Sequence, residues 1–236
     1  MIYIDWYYII LVLPAVILSL WASSNVNSTF QKYSKQASTR RMTGREAAER
    51  VLRANGIYDV RIEHISGNLN DHYDPKAKVI RLSDAVYDNI STAAIGVAAH
   101  EAGHAVQHAQ NYAPVKIRTA IVPVTSIGAK IAMPLIIIGV IFASLGEIFS
   151  TIALIGVAAF SVCVVFQLVT LPTEFNASRR ALVAIEQCGI LSSDELEGSK
   201  KVLRAAALTY VAALAVTLMQ FLRLLLIVSG SRGRRR

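Results

Sequence analysis

The sequence has little with which to cross-link itself and little charge with which to stay in water. Its 236 residues contain only two cysteines. Cys163 lies inside an apolar run and Cys188 in a polar segment, so no disulfide framework is expected. Charged residues make up 17% against 54% hydrophobic, too apolar a balance for an ordinary soluble domain. Internal repeats are missing, and the only low-complexity segment is the basic end "SRGRRR". Also missing is a basic stripe interleaved with aromatics, the pattern that holds single-stranded nucleic acid. The net charge of +8 therefore does not argue for a nucleic-acid partner. The basic residues cluster beside apolar blocks, where membrane topology accounts for them.

Four such blocks have the length a helix needs to span a bilayer, about 20 residues. The first, 6–22, contains "WYYIILVLPAVILSLW", with aromatic residues at its ends as interfacial anchors. The preceding "MIYID" lacks the basic residues of a cleaved signal peptide, so an uncleaved anchor with its N-terminal end outside is expected. The second, 117–145, contains Pro123, Lys130 and Pro134, which predict a kinked or partly buried helix. After the polar break "GEIFS" comes a cleanly apolar third block, 151–171. The fourth, 205–228, contains Arg223 and runs into the basic tail 229–236; it is read as a transmembrane or re-entrant helix. The expected fold is a mainly α membrane protein of about four transmembrane helices with a small α+β unit.

That unit occupies 23–116. In "TGREAAERVLRANG", Thr43 followed by Glu46 predicts a capping box, and Gly56 a helix stop. "YDVRIEHI" alternates like a strand, "LNDHYDP" reads as a loop, and "KAKVIRLS" is a second strand candidate, read as a possible edge strand for an extended peptide. "STAAIGVAAHEAGHAVQHAQN" predicts a long helix with Ser91 as its N-cap.

Lysine and arginine beside the spans set an orientation. Lys32, Lys35, Arg40 and Arg41 follow the first block, Lys116 and Arg118 adjoin the second, and Arg179, Arg180, Lys200, Lys201 and Arg204 follow the third. Segments 23–116 and 172–204 are therefore expected in the cytoplasm. A fourth crossing would place the arginines of the tail outside, against this rule.

The chemistry is concentrated in "HEAGH". Positions i and i+4 share one face of a helix, so His100 and His104 can hold one ion. Glu101, turned about 100° from His100, can reach a metal-bound water and take its proton without being a ligand. Zinc needs a third protein ligand and an open fourth position. His108 stands two turns from His100, about 12 Å along the axis, too far for one ion with ligand distances of about 2 Å. A gluzincin site would use a downstream glutamate. Glu147 falls on the wrong side of the membrane, and Asp194 to Glu197 resembles a solvated helix start. Glu174, just past the third block, is the candidate; the alternative is an acid capping a helix that starts after Pro172.

"NDHYDPKAKVIRLSDAVYDN", "GVAAHEAGHAVQHAQNYAP", "LPTEFNASRRAL" and "AAALTYVAAL" together resemble the neutral zinc metallopeptidases of bacterial membranes, the zinc-peptidase type 2 group. The group is similar, more distantly, to the membrane heat-shock proteases and the CAAX prenyl proteases, in which HExxH and a transmembrane hairpin precede E-x-x-x-D. The resemblance implies one zinc ion on His100, His104 and Glu174, with Glu101 as base. It also implies an integral protein of the bacterial inner membrane; with the apolar blocks and the basic residues beside them, the expectation is a multi-pass protein whose active site faces the cytoplasm. Ser178 stands where the distant pattern has Asp, so Asn176 or Ser178 is expected to orient a histidine. His72 and Tyr73 are candidates for contacts to the substrate carbonyl oxygen, with a plain turn as the other reading. Arg179 and Arg180 suit a peptide carboxylate or lipid headgroups. His64 reads as surface.

The expected function is hydrolysis of peptide bonds in protein or peptide substrates, membrane or misfolded proteins by analogy. One rival is a non-catalytic scaffold stabilised by the same metal; another is a zinc hydrolase of a different bond. Glu101 favours catalysis, since a purely structural site has no use for it.

Overall fold

In a computed structural model, residues 5–233 are described. The arginines at 234–236, part of the expected basic tail, lie outside the described residues. The chain is mainly helical. A π-helical turn at Tyr8–Val12 leads into α1 (Leu13–Tyr33), then α2 (Gly44–Ala54), β1 (Arg61–Ile65), β2 (His72–Asp74), β3 (Val79–Ser83), α3 (Thr92–Ala109), α4 (Ala113–Ile141), α5 (Glu147–Gln187) and α6 (Ser193–Gly233). Four of these helices are long and apolar enough to cross a membrane. The chain divides into two units, one of residues 1–21, 117–171 and 210–236, the other of 22–116 and 172–209.

In the first unit, Ile136 of α4, Ala153 and Val157 of α5, and Leu224 and Val228 of α6 form a small core. Lipid gives no hydrophobic drive between helices, so close backbone approach has to supply the packing. Gly156 provides it: a methyl there would stand 2.9 Å from the Ala132 carbonyl oxygen. Trp6, Ile10, Ile17 and Leu20 keep outward faces, as lipid-facing residues do. Arg223 forks onto the Asp5 carboxylate at 2.7 and 3.1 Å and lies over the Tyr8 ring at 5.3 Å.

The second unit has a conventional core of α2, the sheet, α3 and the adjoining ends of α5 and α6. The expected capping box forms: the Glu46 N–H donates to the Thr43 hydroxyl and the Thr43 N–H to the Glu46 carboxylate. Ser91 caps α3 by accepting from the Ala94 N–H.

Several expectations are corrected. β3 is not an edge strand. It is central, parallel to β1 and antiparallel to β2, so that neighbours satisfy the backbone groups of this buried strand along both edges. "LNDHYDP" is not all loop; His72 to Asp74 form the short edge strand β2, opposite Arg81, Ile80 and Val79. No helix begins after Pro172. α5 runs through it to Gln187, so Glu174 caps nothing. Glu195 does sit in the first turn of α6, but it is not solvated: it is buried and accepts from the Thr39 and Ser192 N–H groups.

α3 is lined with alanine and glycine because it crosses α5 closely. A methyl on Gly103 would stand 2.7 Å from the Ala177 carbonyl oxygen, which is backbone and cannot swing away. Gly103→Ala is expected to lower stability by roughly 1–3 kcal/mol, as overpacking does, read as a lower melting temperature in detergent. Gly146→Ala is the control: nothing lies within 4 Å of the added methyl, and its melting temperature is expected to stay put.

Candidate metal centre

α3 presents His100 and His104 one turn apart on a single face, with rings edge-to-face at 4.7 Å. α5 supplies Glu174, itself only 2% exposed. One carboxylate oxygen, Oε2, lies 3.3 Å from His100 Nε2 and 3.4 Å from His104 Nε2. The three ligand atoms all fall within 4.8 Å of one another. Donors held about 2.0–2.2 Å from a tetrahedral zinc stand roughly 3.3–3.6 Å apart. Both nitrogen-to-oxygen distances match that edge, and two imidazoles with a carboxylate are a donor set zinc accepts. The residues present fit the ion.

The local field points the same way. Burial would push the Glu174 carboxyl up, yet the hydrogen bonds from both imidazoles hold it well below the usual carboxylate range. Burial would push the His104 imidazole down; the Glu174 carboxylate, the Glu101 charge and the Gln107 hydrogen bond outweigh it and hold it above its ordinary value. Unpaired buried anions cost several kcal/mol, so a centre of this kind favours a positive charge among its three side chains.

Glu101, 8% exposed, follows His100 on the buried side of α3. Burial pushes the Asp71 carboxyl up, opposed by the N–H and hydroxyl of Ser83, which donate to it at 2.7 and 3.1 Å; the Glu101 charge adds to the rise.

The remaining candidates are spread around this centre. The Ser178 hydroxyl lies 3.1 Å from His100 Nδ1, so of the pair Asn176 and Ser178 it is Ser178 that touches a histidine. Asn176 instead accepts from Gln107 and Arg180. His108 is outside the group of three ligand atoms and packs its ring on Tyr73 at 5.5 Å. His72 lies on β2, with Nδ1 donating to the Asn70 carbonyl and the Arg81 guanidinium 3.4 Å from Nε2. Arg180 also bonds to Gln110 and lies by the Tyr112 ring, while Arg179 is exposed. His64 is exposed and pairs with Asp84.

Sequence reasoning missed one participant. Gln107 is fully buried, and His104 Nδ1 donates to its Oε1 at 3.0 Å. The signal was available, since i+3 on a helix faces the same side.

The family described as "Putative neutral zinc metallopeptidase" matches residues 8–229. Among curated proteins, the "Putative membrane protease YugP" of Bacillus subtilis (strain 168) is 45% identical over 225 residues, covering 95% of this chain and 98% of that protein. No solved structure matches the chain.

If Glu174 completes the centre, Glu174→Ala should leave a folded chain with only a small fraction of the zinc that the unaltered chain carries, measured by elemental analysis. Undiminished zinc would remove Glu174 from the ligand set.

Proposed function

The chain belongs to the neutral zinc metallopeptidase family, and from that premise we propose an integral-membrane endopeptidase of gluzincin type, with one zinc held by His100, His104 and Glu174. The observation that carries this reading is the convergence of three donor atoms from α3 and α5 at the spacing of a tetrahedral edge. When bound, zinc polarises a carbonyl and lowers the pKa of water to about 7.

The chain's own residues supply the rest. Glu101, adjacent to a ligand but not one itself, takes the proton of the attacking water and returns it to the leaving amine. The Ser178 hydroxyl holds the His100 ring from behind. β2 is an edge strand beside α3 and carries His72 and Tyr73. Its unpaired side is where an extended peptide substrate would add a strand, with these two residues at the contact.

The same reading gives a multi-pass topology with the centre facing the cytoplasm. Support comes from the basic residues flanking the spans, Lys32, Lys35, Arg40, Arg41, Lys116 and Arg118 among them. The Asp5–Arg223 pair supports a crossing fourth helix, because it sets the far part of α6 beside a residue that precedes the π-helical turn leading into α1. Charges at membrane depth are tolerated where they pair in this way.

Two measurements test the proposal. Glu101→Gln should keep its zinc and lose cleavage of an unstructured protein by about 10²–10⁴-fold, the usual worth of a general base. Equal cleavage by two zinc-loaded proteins sinks the peptidase and leaves the metal-stabilised scaffold. For topology, single cysteines are placed in a chain whose Cys163 and Cys188 are replaced. Gly146→Cys and Gly230→Cys should react with an impermeant maleimide on intact cells, and Asn68→Cys only after permeabilisation; the reverse pattern overturns the orientation.

A further inference from the structure

Gln107 is the one fully buried amide side chain beside the metal centre among the described residues. Buried amides are costly unless bonded, and this one is bonded on every side. Its Nε2 donates to the Thr173 carbonyl at 2.8 Å and to Asn176 Oδ1 at 3.0 Å, while its Oε1 faces His104 Nδ1 at 3.0 Å.

The direction of these bonds is dictated by chemistry. A backbone carbonyl can only accept, so the Gln107 atom facing Thr173 has to be the NH₂ group. The Asn176 atom facing Gln107 also meets Arg180 Nε at 2.6 Å. A guanidinium can only donate, so that Asn176 atom is its oxygen, and it too requires NH₂ from Gln107. Both constraints turn the Gln107 oxygen toward His104. His104 must then carry a hydrogen on Nδ1, which makes Nε2, 3.4 Å from Glu174, the nitrogen left to meet a metal. His100 has no such constraint. Its Nδ1 meets the Ser178 hydroxyl, which can donate or accept.

We propose that Gln107 is a positioning residue that, with its polarity set by Thr173 and by Arg180 through Asn176, locks His104 in the tautomer whose Nε2 faces the metal. This rests on the metal-centre reading above. It makes the two histidines unequal: His104 is preset, and His100 can adjust. The set of partners that orient the ligands therefore includes a glutamine on the HEAGH helix itself, three residues on.

The test uses the full-length chain in detergent with ¹⁵N-labelled histidine; there are only five histidines to resolve, and loss of a signal in His104→Asn assigns the one at issue. In metal-free protein, His104 is expected to carry a hydrogen on Nδ1 whether or not Nε2 also carries one, because the Gln107 oxygen accepts from it. An Nε2–H tautomer in the unaltered chain overturns the proposal, and this arm needs no variant to fold. Gln107→Leu, similar in size, should lose the fixed tautomer and bind zinc about 10–100-fold more weakly in chelator competition, the usual cost of removing a ligand's hydrogen-bond partner. Asn176→Asp, which still accepts from both Gln107 and Arg180, should keep the tautomer. A folded Gln107→Leu chain with unchanged tautomer and unchanged zinc affinity also overturns it. If the unaltered chain binds no zinc, the metal reading fails, while the metal-free tautomer still decides the orientation of Gln107.

Discussion

The close crossing of α3 and α5 at Gly103 is the contact on which the centre depends. His100 and His104 belong to one helix and Glu174 to the other, so the distance between their ligand atoms is set by how near the two backbones come. With a glycine facing the Ala177 carbonyl, the approach is limited only by backbone. Ala99, one turn back on the same face as Gly103, is fully buried and keeps α3 thin along that seam. The motif's middle residues, Ala102 and Gly103, thus serve packing, while the chemistry proposed above falls to its outer residues.

Bringing a glutamate, two imidazoles and a second glutamate into a buried space raises an electrostatic problem. Two acids there repel, and each loses hydration. The protein answers with donors. Both histidines point a nitrogen at Glu174, Ser83 binds Asp71 at the edge of the cluster, and the Gln107 amide completes the far side of His104. A buried cluster of two acids and two histidines favours a positive charge among its side chains, in keeping with the cation proposed for it.

The sheet contributes position more than mass. β3 is buried on both faces and pairs on both sides, and Asp71 ties the segment before β2 to Ser83 at its end. That leaves β2 as the short strand next to α3, with Tyr73 packed on His108. His108 is thereby occupied as a packing partner, one turn beyond His104 and two from His100.

By itself the sequence determined what is local in the chain. Four apolar blocks follow from composition, the capping box of α2 from Thr43 and Glu46, and the pairing of His100 with His104 from the 3.6-residue period, which also removes His108. Glu174 could be narrowed to a candidate but kept a rival reading as a helix cap, because nothing local distinguishes an acid after a proline that begins a helix from one inside a longer helix. Only the tertiary structure decided that α5 continues through Pro172, that β3 is central, that Ser178 stands behind His100, and that Thr173 and Asn176 turn the Gln107 oxygen toward His104. Those outcomes depend on which helix faces meet and how closely, a property of side chains far apart in sequence. Spacing along one chain segment carries no record of it.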